Sequence, residues 1–552
     1  MTWVRPPRGR RGTGSTGVGA TTAGPPDERL AASPHRQRSA AGRAGHHGDL
    51  DGSGGAGDSL DLRLVPAAAA AWAGATLTVA WPGQTLVALL AAGAALGAGA
   101  LVHTRTARRR PRAGAAVAGL ALAVFVLVGV LAVGVALRHE RASGPLAEAV
   151  AGAWTATVRG TVADDPVPLR AAWQGSTARV RYTLSVDTVE ARGRARTAHG
   201  DVLVLGGGDP PALGATVVVT GRLQPAASST DRAIATLVAP GAATTVRGPA
   251  GVDRWVGTVR ASARAVVAQV PGDAGGLLLG VALGDTSRVG DDLSADFKVA
   301  GLTHLVAVSG SHFAIIGALV AAGAAACRLP RPARAAAVLL ADVLLVLLVG
   351  PQPSVLRAAV MGSVALVGLL AGRPSRAPAA LAATVVVLLL VDPWLAVDLG
   401  FALSVAATAA IVLLAGPWTE RWAPRLGRAV AAAVAVPLAA QLACGPVLLA
   451  VRPQIGAYTL LANVLVAPAV GPATVCGVAA ALLAPVWPGA ALVLAHLGGA
   501  ACWWIAAVAR AVSAAPAATV GWAPGAVGVV ALAAVSISTA ALLLRTGRSA
   551  GR

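Results

Sequence analysis

Charge is what this sequence has least of. Only 13% of its 552 residues are charged, against roughly 25% in soluble domains. Lysine is nearly absent, Lys298 being the sole example. The formal charge of +20 is therefore arginine charge. Alanine and glycine are equally inflated, a bias that a GC-rich genome produces, so arginine abundance alone does not point to nucleic acid. Cysteine is limited to Cys327, Cys444, Cys476 and Cys502. They are scattered through apolar segments without metal-ligand spacing, and read as small packing residues. No metal site and no cofactor is expected. A GxxxxGKS phosphate loop is lacking too, so no ATPase is encoded in these residues.

What the sequence does have is long apolar runs. Hydrophobic residues make up 55% of it. Runs long enough to cross a bilayer, which takes about 20 residues, recur through most of the length. The expected fold is a polytopic α-helical membrane protein of about 12 transmembrane helices. Three crossings are expected near 64–81, 83–103 and 113–137. Nine more are expected near 301–325, 335–350, 354–371, 377–392, 398–415, 429–450, 457–484, 489–509 and 521–544. Residues 1–63 lack hydrophobic periodicity and read as a disordered basic tail; 546–552 form a second basic tail. Arginine-rich loops such as HTRTARRRPR, CRLPRPAR and PWTERWAPRLGR then fall on the cytoplasmic side with both termini, and Arg452 is the exception.

Residues 138–250 break the pattern. Five stretches alternate with period two: 154–162, 178–193, 201–205, 215–223 and 233–238. That count suggests an inserted extracytoplasmic OB-type β-barrel domain. Such folds bind single strands through basic grooves and stacking aromatics. The candidates for that here are Trp154, Arg159, Trp173, Arg181 and Tyr182. A structural docking role is the alternative. Residues 251–300 read as an amphipathic connector with Arg254, Arg260 and Arg264 on a polar side suited to a membrane surface.

The stretch GLTHLVAVSGSHFAII, Gly301 to Ile316, stands out at the head of the main helical bundle, 301–545. Polar groups in hydrocarbon usually face a cavity, a partner or a pathway. As a helix of about 100° per residue it would place Ser311 about 20° and His312 about 80° from His304. The bland reading is a packed helix whose hydroxyls bond their own carbonyls. Further polar residues in the bundle are Asp342, Arg357, Asp392, Asp398, Asn463 and His496. Asp392 and Asn463 read better as caps or interhelical ties. Pro468 and Pro472 break a helix and can free carbonyls toward a cavity.

LLLGVALGD, GLTHLVAVSGSHFAII, PSVLRAAVM, DPWLAVDLGFALSVAAT and QIGAYTLLANVLVAP occur in that order, and together they resemble the ComEC family of competence proteins. The resemblance covers about 64–545 and implies an inner-membrane channel that passes single-stranded DNA into the cytoplasm during natural transformation. It nominates Asp285, His304, Ser309, His312, Arg357, Asp398 and Ser404 as functional positions, with Ser311 standing where the family often has an apolar residue. It also implies a membrane DNA receptor, a cytoplasmic DNA-translocating ATPase and a homo-oligomer as partners. Many members carry a metallo-β-lactamase-like domain; no HxHxDH cluster occurs here, so a channel without its own nuclease, served by a separate one, is expected. Two alternatives remain at this stage. One is a transporter of another polyanionic or lipid-linked substrate. The other is an intramembrane serine hydrolase with Ser309 as nucleophile and His496 or His312 as base.

Overall fold

The computed structural model describes residues 63–85, 87–88, 91, 111–169, 179–228, 230–350, 352–370 and 377–545. The expected basic tails, most of the crossing at 83–103 and Trp173 lie outside these residues. Those described belong to one compact unit, Ser59–Arg552.

Seven helices among the described residues are long and apolar enough to cross a membrane: Gly119–Ala142, Arg331–Val349, Leu399–Leu426, Arg428–Leu449, Thr459–Leu483, Pro488–Ser513 and Gly525–Arg545. Four apolar helices are shorter, Val65–Ala80, Asp273–Leu283, Gly310–Ala326 and Ala377–Val391. Another helix runs Pro353–Leu370. The PWTERWAPRLGR segment, expected as a loop, is helical. It continues the preceding helix through a π turn at Ile411–Ala415 into Gly416–Leu426. Trp418 explains why: it is fully buried and stacks on Trp422 at 5.9 Å. Stacked indoles one turn apart hold that face inward where the charge pattern alone reads as a loop.

The period-two region folds as a seven-stranded sheet and not as the expected OB-type barrel. Its strands are β1 (Thr155–Val162), β2 (Val167–Leu169), β3 (Arg179–Ala191), β4 (Arg194–Gly207), β5 (Thr216–Pro225), β6 (Ala235–Val238) and β7 (Thr244–Arg247). β3 and β4 form a two-residue hairpin, Ala191 facing Arg194. Arg192 and Gly193 both take positive φ (53° and 72°), as the tight mirror-image turn requires. The pairings run β1–β3–β4–β6–β5, with β4 and β6 parallel, and β5 pairs in turn with β1. Alternate residues, among them Val158, Leu184, Val204, Val217 and Leu237, form the interior with Leu146 and Ala149 of the helix Pro145–Ala151.

The connector is not a surface element throughout. In the helix Gly251–Val267, Arg254 is exposed but Arg260 is buried. Position 260 lies one turn from Val256 and Ala263 and two from Val267, so the helical period itself puts it on the apolar face. Arg260 donates from Nε to Leu348 O (2.8 Å) and from Nη2 to Val349 O (2.9 Å), and pairs with Asp165 of the sheet domain. It thus caps the C-terminus of the helix Arg331–Val349, where backbone carbonyls lack partners and positive charge is favoured. The following helix, Asp273–Leu283, is buried from Ala274 onward. Its Leu277, Leu278 and Leu283 share one core with Leu302, Phe313, Leu345, Val355 and Val466.

Candidate functional site

The 301–316 stretch does not form one helix. Gly301 takes φ +71° and ends the helix Asp291–Ala300, and Thr303–Leu305 makes a single 3-10 turn. A new helix, Gly310–Ala326, starts at Ser309. His304 and His312 therefore do not share a helical face. His304 is exposed, with Nδ1 3.2 Å from Gly301 O. His312 is 1% exposed and acts as a cap. Its Nδ1 accepts from the Ser309 backbone N–H at 3.1 Å, while Ser309 serves the N3 position in return. This is a capping box with histidine in the place usual for Glu or Gln. Ser309 Oγ also lies 2.8 Å from Ser311 Oγ.

That arrangement argues against a serine nucleophile. The Nδ1 lone pair of His312 is taken by a backbone N–H, so that nitrogen is not free to remove a proton from Ser309 Oγ, 3.3 Å away. His496 is exposed, and its Nδ1 lies 2.9 Å from Leu492 O of its own helix.

Around this broken stretch the other polar motifs converge. Gly280 of the LLLGVALGD segment packs on Val306: a Cβ there would sit 3.3 Å from Val306 Cγ1. Ser354 of PSVLRAAVM donates to Val308 O at 2.9 Å. One turn later, Arg357 lies over the start of the new helix, its Nη2 3.5 Å from where a Gly310 Cβ would be. The Arg357 Nε donates to Ser404 Oγ at 2.6 Å. On the other side, Thr459 of QIGAYTLLANVLVAP fills the space that a Gly301 side chain would need.

Arg357 is the central observation. It is 5% exposed, yet among the described residues no carboxylate lies within ion-pair distance of it. A buried cation normally has an anionic partner, because desolvation is costly. Here its described side-chain partner is a neutral hydroxyl, so the guanidinium keeps the capacity to serve an anion that comes to it.

The remaining candidates serve the scaffold. Asp398 caps the helix Leu399–Ala410, accepting from Phe401 N at 2.6 Å. Asp392 accepts from Trp394 N at 3.1 Å and pairs with Arg232 of the sheet domain at 3.1 Å. Asn463 donates to Thr459 O of its own helix. Asp342 is buried beside Gly362. Asp285, in the turn after Asp273–Leu283, is tied to Arg264 at 2.6 Å and to the Ser287 hydroxyl at 2.6 Å. Burial alone would push its carboxyl up, but the Ser287 and Arg264 hydrogen bonds outweigh that and hold it below the ordinary value.

On the sheet domain, Arg159 and Arg181 are exposed. Tyr182 is not available as a stacking platform, being 3% exposed within the sheet interior. Burial pushes its hydroxyl up to about 12. It sits at an inward position of β3, whose alternation assigns it there. Trp154 is half-buried and already carries Arg192 over its ring at 3.9 Å. Sequence reasoning put Arg260 on the polar side of the connector, where the structure buries it, and passed over Ser354 and Thr459. The period of the Gly251–Val267 helix could have found the first, but the other two are set by long-range contacts.

Comparison with known proteins places this junction within a family. Residues 281–547 match the family described as Competence protein. ComE operon protein 3 of Bacillus subtilis (strain 168) is 32% identical over 137 residues, 25% of this chain and 18% of that protein. The match thus spans less than a fifth of that relative's length. No solved structure matches the chain.

Proposed function

The chain is a ComEC-family competence protein by its residues 281–547 and its curated relative, and from that premise we propose that it conducts single-stranded DNA across the cytoplasmic membrane during natural transformation. The observation that carries this reading is Arg357, a buried guanidinium without a described carboxylate partner, where its own segment meets those of Gly310 and Ser404. A strand brings one phosphate charge per nucleotide. Its path needs donors for oxyanions and no fixed negative charge beside them. Arg357, Ser404 and the Ser309–Ser311 hydroxyls supply such donors. The described aspartates stand apart from them as helix caps, ion-pair partners or, for Asp342, a buried residue beside Gly362.

In this proposal the sheet domain is extracytoplasmic and both termini are cytoplasmic. The domain division follows: 64–137, 138–250 and 301–545 act as membrane segment, sheet domain and channel bundle. The 251–300 segment joins the last two. The protein acts as a conduit rather than an enzyme. A membrane DNA receptor hands over the strand and a cytoplasmic ATPase pulls it, with a separate nuclease removing the second strand. A homo-oligomer remains part of the proposal.

The test is deletion of the gene in a transformable host. Transformation should be abolished while DNA binding at the cell surface persists. Unchanged transformation overturns the reading. Reconstituted vesicles offered DNA and other polyanions separate a strand channel from a carrier of different cargo.

A further inference from the structure

Asp342 takes no part in the Arg357 junction, yet it lies within the span of the helix Arg331–Val349, one of those long and apolar enough to cross a membrane. At the usual rise per residue it is about 16 Å from the start of that helix and about 10 Å from its end. It is 7% exposed. Leu345 and Val349, three and seven residues on, belong to the apolar core, so the helical period turns Asp342 inward with them. One turn earlier, Val338 packs on Gly317 of the helix Gly310–Ala326. Opposite Asp342, on the helix Pro353–Leu370, stands Gly362, where an added Cβ would come 3.2 Å from Asp342 Oδ2. The carboxyl thus fills the notch that this glycine leaves between two packed helices.

Among the described residues, no hydrogen bond reaches this carboxyl and no cation lies within ion-pair distance of it. Asp285, Asp392 and Asp398 differ, each being held by an arginine or a backbone N–H. The ionisable groups on the helices packed against Arg331–Val349 are committed elsewhere. On Gly310–Ala326, His312 serves the Ser309 backbone N–H, and on Pro353–Leu370, Arg357 bonds Ser404. On Gly251–Val267, Arg260 serves Leu348 O and Val349 O at the far end and pairs with Asp165, and Arg264 pairs with Asp285. Asp253 and Arg254 are exposed in the first turn of that helix. An ionised carboxylate in apolar surroundings without a partner is costly enough that the group is neutral instead, and a carboxyl kept at that depth is a functional position by default.

We propose that Asp342 is a proton-binding site inside the bundle, closed by the contact with Gly362, and that it releases its proton only when the helices Arg331–Val349 and Pro353–Leu370 part there. In that step the carboxyl O–H bond breaks, the electron pair stays on the oxygen and the proton passes to incoming water. Return of the proton lets the pair close again. Parting of these two helices is therefore proton-coupled, whichever cargo the Arg357 junction handles.

The experiment is infrared difference spectroscopy on the full chain in detergent at neutral pH, parent minus Asp342→Asn. The parent should show the C=O stretch of a protonated carboxyl, and the variant should lose it. If Asp342→Asn does not fold, Asp342→Glu keeps the acid and displaces the band, which assigns it equally. After transfer into deuterated water the band should shift more slowly than mixing, because deuterium replaces the proton only when the helix pair parts. Gly362→Ala sets a methyl group against the carboxyl and should move the band. A carboxylate band in place of the C=O stretch means that Asp342 is ionised, and overturns the proposal. A shift complete within the mixing time means that water already reaches the carboxyl, and overturns the closure at Gly362.

Discussion

Arg357 and Ser404, on the neighbouring helices Pro353–Leu370 and Leu399–Ala410, are joined by a 2.6 Å hydrogen bond from Nε to Oγ. The bond aims a buried guanidinium while leaving its charge unopposed by any described carboxylate. Replacing Arg357 by Gln keeps a polar side chain and removes the cation. Transformation should fall about tenfold or more, as ~1.4 kcal/mol of lost stabilisation for a passing anion predicts. Ser404→Ala should have a smaller effect, since the charge survives and only its aim is loosened. Transformation frequency at matched membrane protein levels checks both.

Gly301 and Thr459 define the second prediction. A Cβ on Gly301 would lie 2.4 Å from Thr459 Cγ2, and its φ of +71° disfavours any side chain. Gly301→Ala therefore carries two costs: about 1–3 kcal/mol of backbone strain and a steric clash. Thr459→Ala should relieve the clash without relieving the strain. The double variant is expected to melt between Gly301→Ala and the parent in detergent. Full recovery would mean that the backbone conformation is unimportant.

His312 tests whether a polar group in an apolar helix lines a pathway or completes a turn. Its Nδ1 holds the Ser309 backbone N–H at 3.1 Å. Gln at this position can make the same reciprocal bond, and Leu cannot. His312→Gln should keep near-parental stability and transport. His312→Leu should lose about 1 kcal/mol, the usual worth of a cap. Loss of transport in the Gln variant at full stability would instead give the imidazole a direct part. His304 is exposed and makes no such cap, so Gln there tests the pathway alone.

Much of this fold is readable from pattern because pattern is local. The five alternating stretches all became strands, since a sheet with one buried face repeats every two residues. β2 escaped notice because a strand of three residues carries no period, and β7 because all four of its residues are exposed and do not alternate. The apolar runs among the described residues became helices, but length did not tell Asp273–Leu283, buried in the bundle, from a connector. The polar residues at 301–316 were found by their chemistry and misplaced by geometry. Gly301 and Ser309 bracket two helix boundaries, and a uniform helical wheel cannot contain a break. That Arg357 has no carboxylate partner among the described residues follows from contacts distant in sequence, which periodicity does not report.

Arg260 is expected to be among the least replaceable arginines. It serves the last two carbonyls of the helix Arg331–Val349 and reaches Asp165 in the sheet domain. Arg260→Met retains the stem packing but strands buried carbonyls, at about 1–3 kcal/mol for the unsatisfied groups. Arg232→Ala breaks a pair whose arginine side chain is 58% exposed, and should cost under about 1 kcal/mol. Thermal unfolding of the two variants side by side should show a clear drop for the first and little change for the second.

Asp285 predicts a pH dependence with a definite sign. Its carboxyl is held below the ordinary value because hydrogen bonds from Ser287 and Arg264 outweigh its burial. A group with a depressed folded value binds protons more readily when unfolded. Its contribution is complete above the unfolded value of about 3.9 and is lost as pH falls through the folded one. The parent protein should therefore lose melting temperature as pH drops from about 5 to about 3, and part of that slope should vanish in Asp285→Asn. Arg264 is 41% exposed, so solvent and salt screen the pair and the effect should shrink at high ionic strength. An Asn variant with an unaltered acid slope would show that Asp285 is not the group that titrates. The same variant should retain the turn, because its side-chain oxygen still accepts from Ser287; it should melt below the parent at neutral pH and converge on it as pH falls through the folded value, which assigns the charge itself.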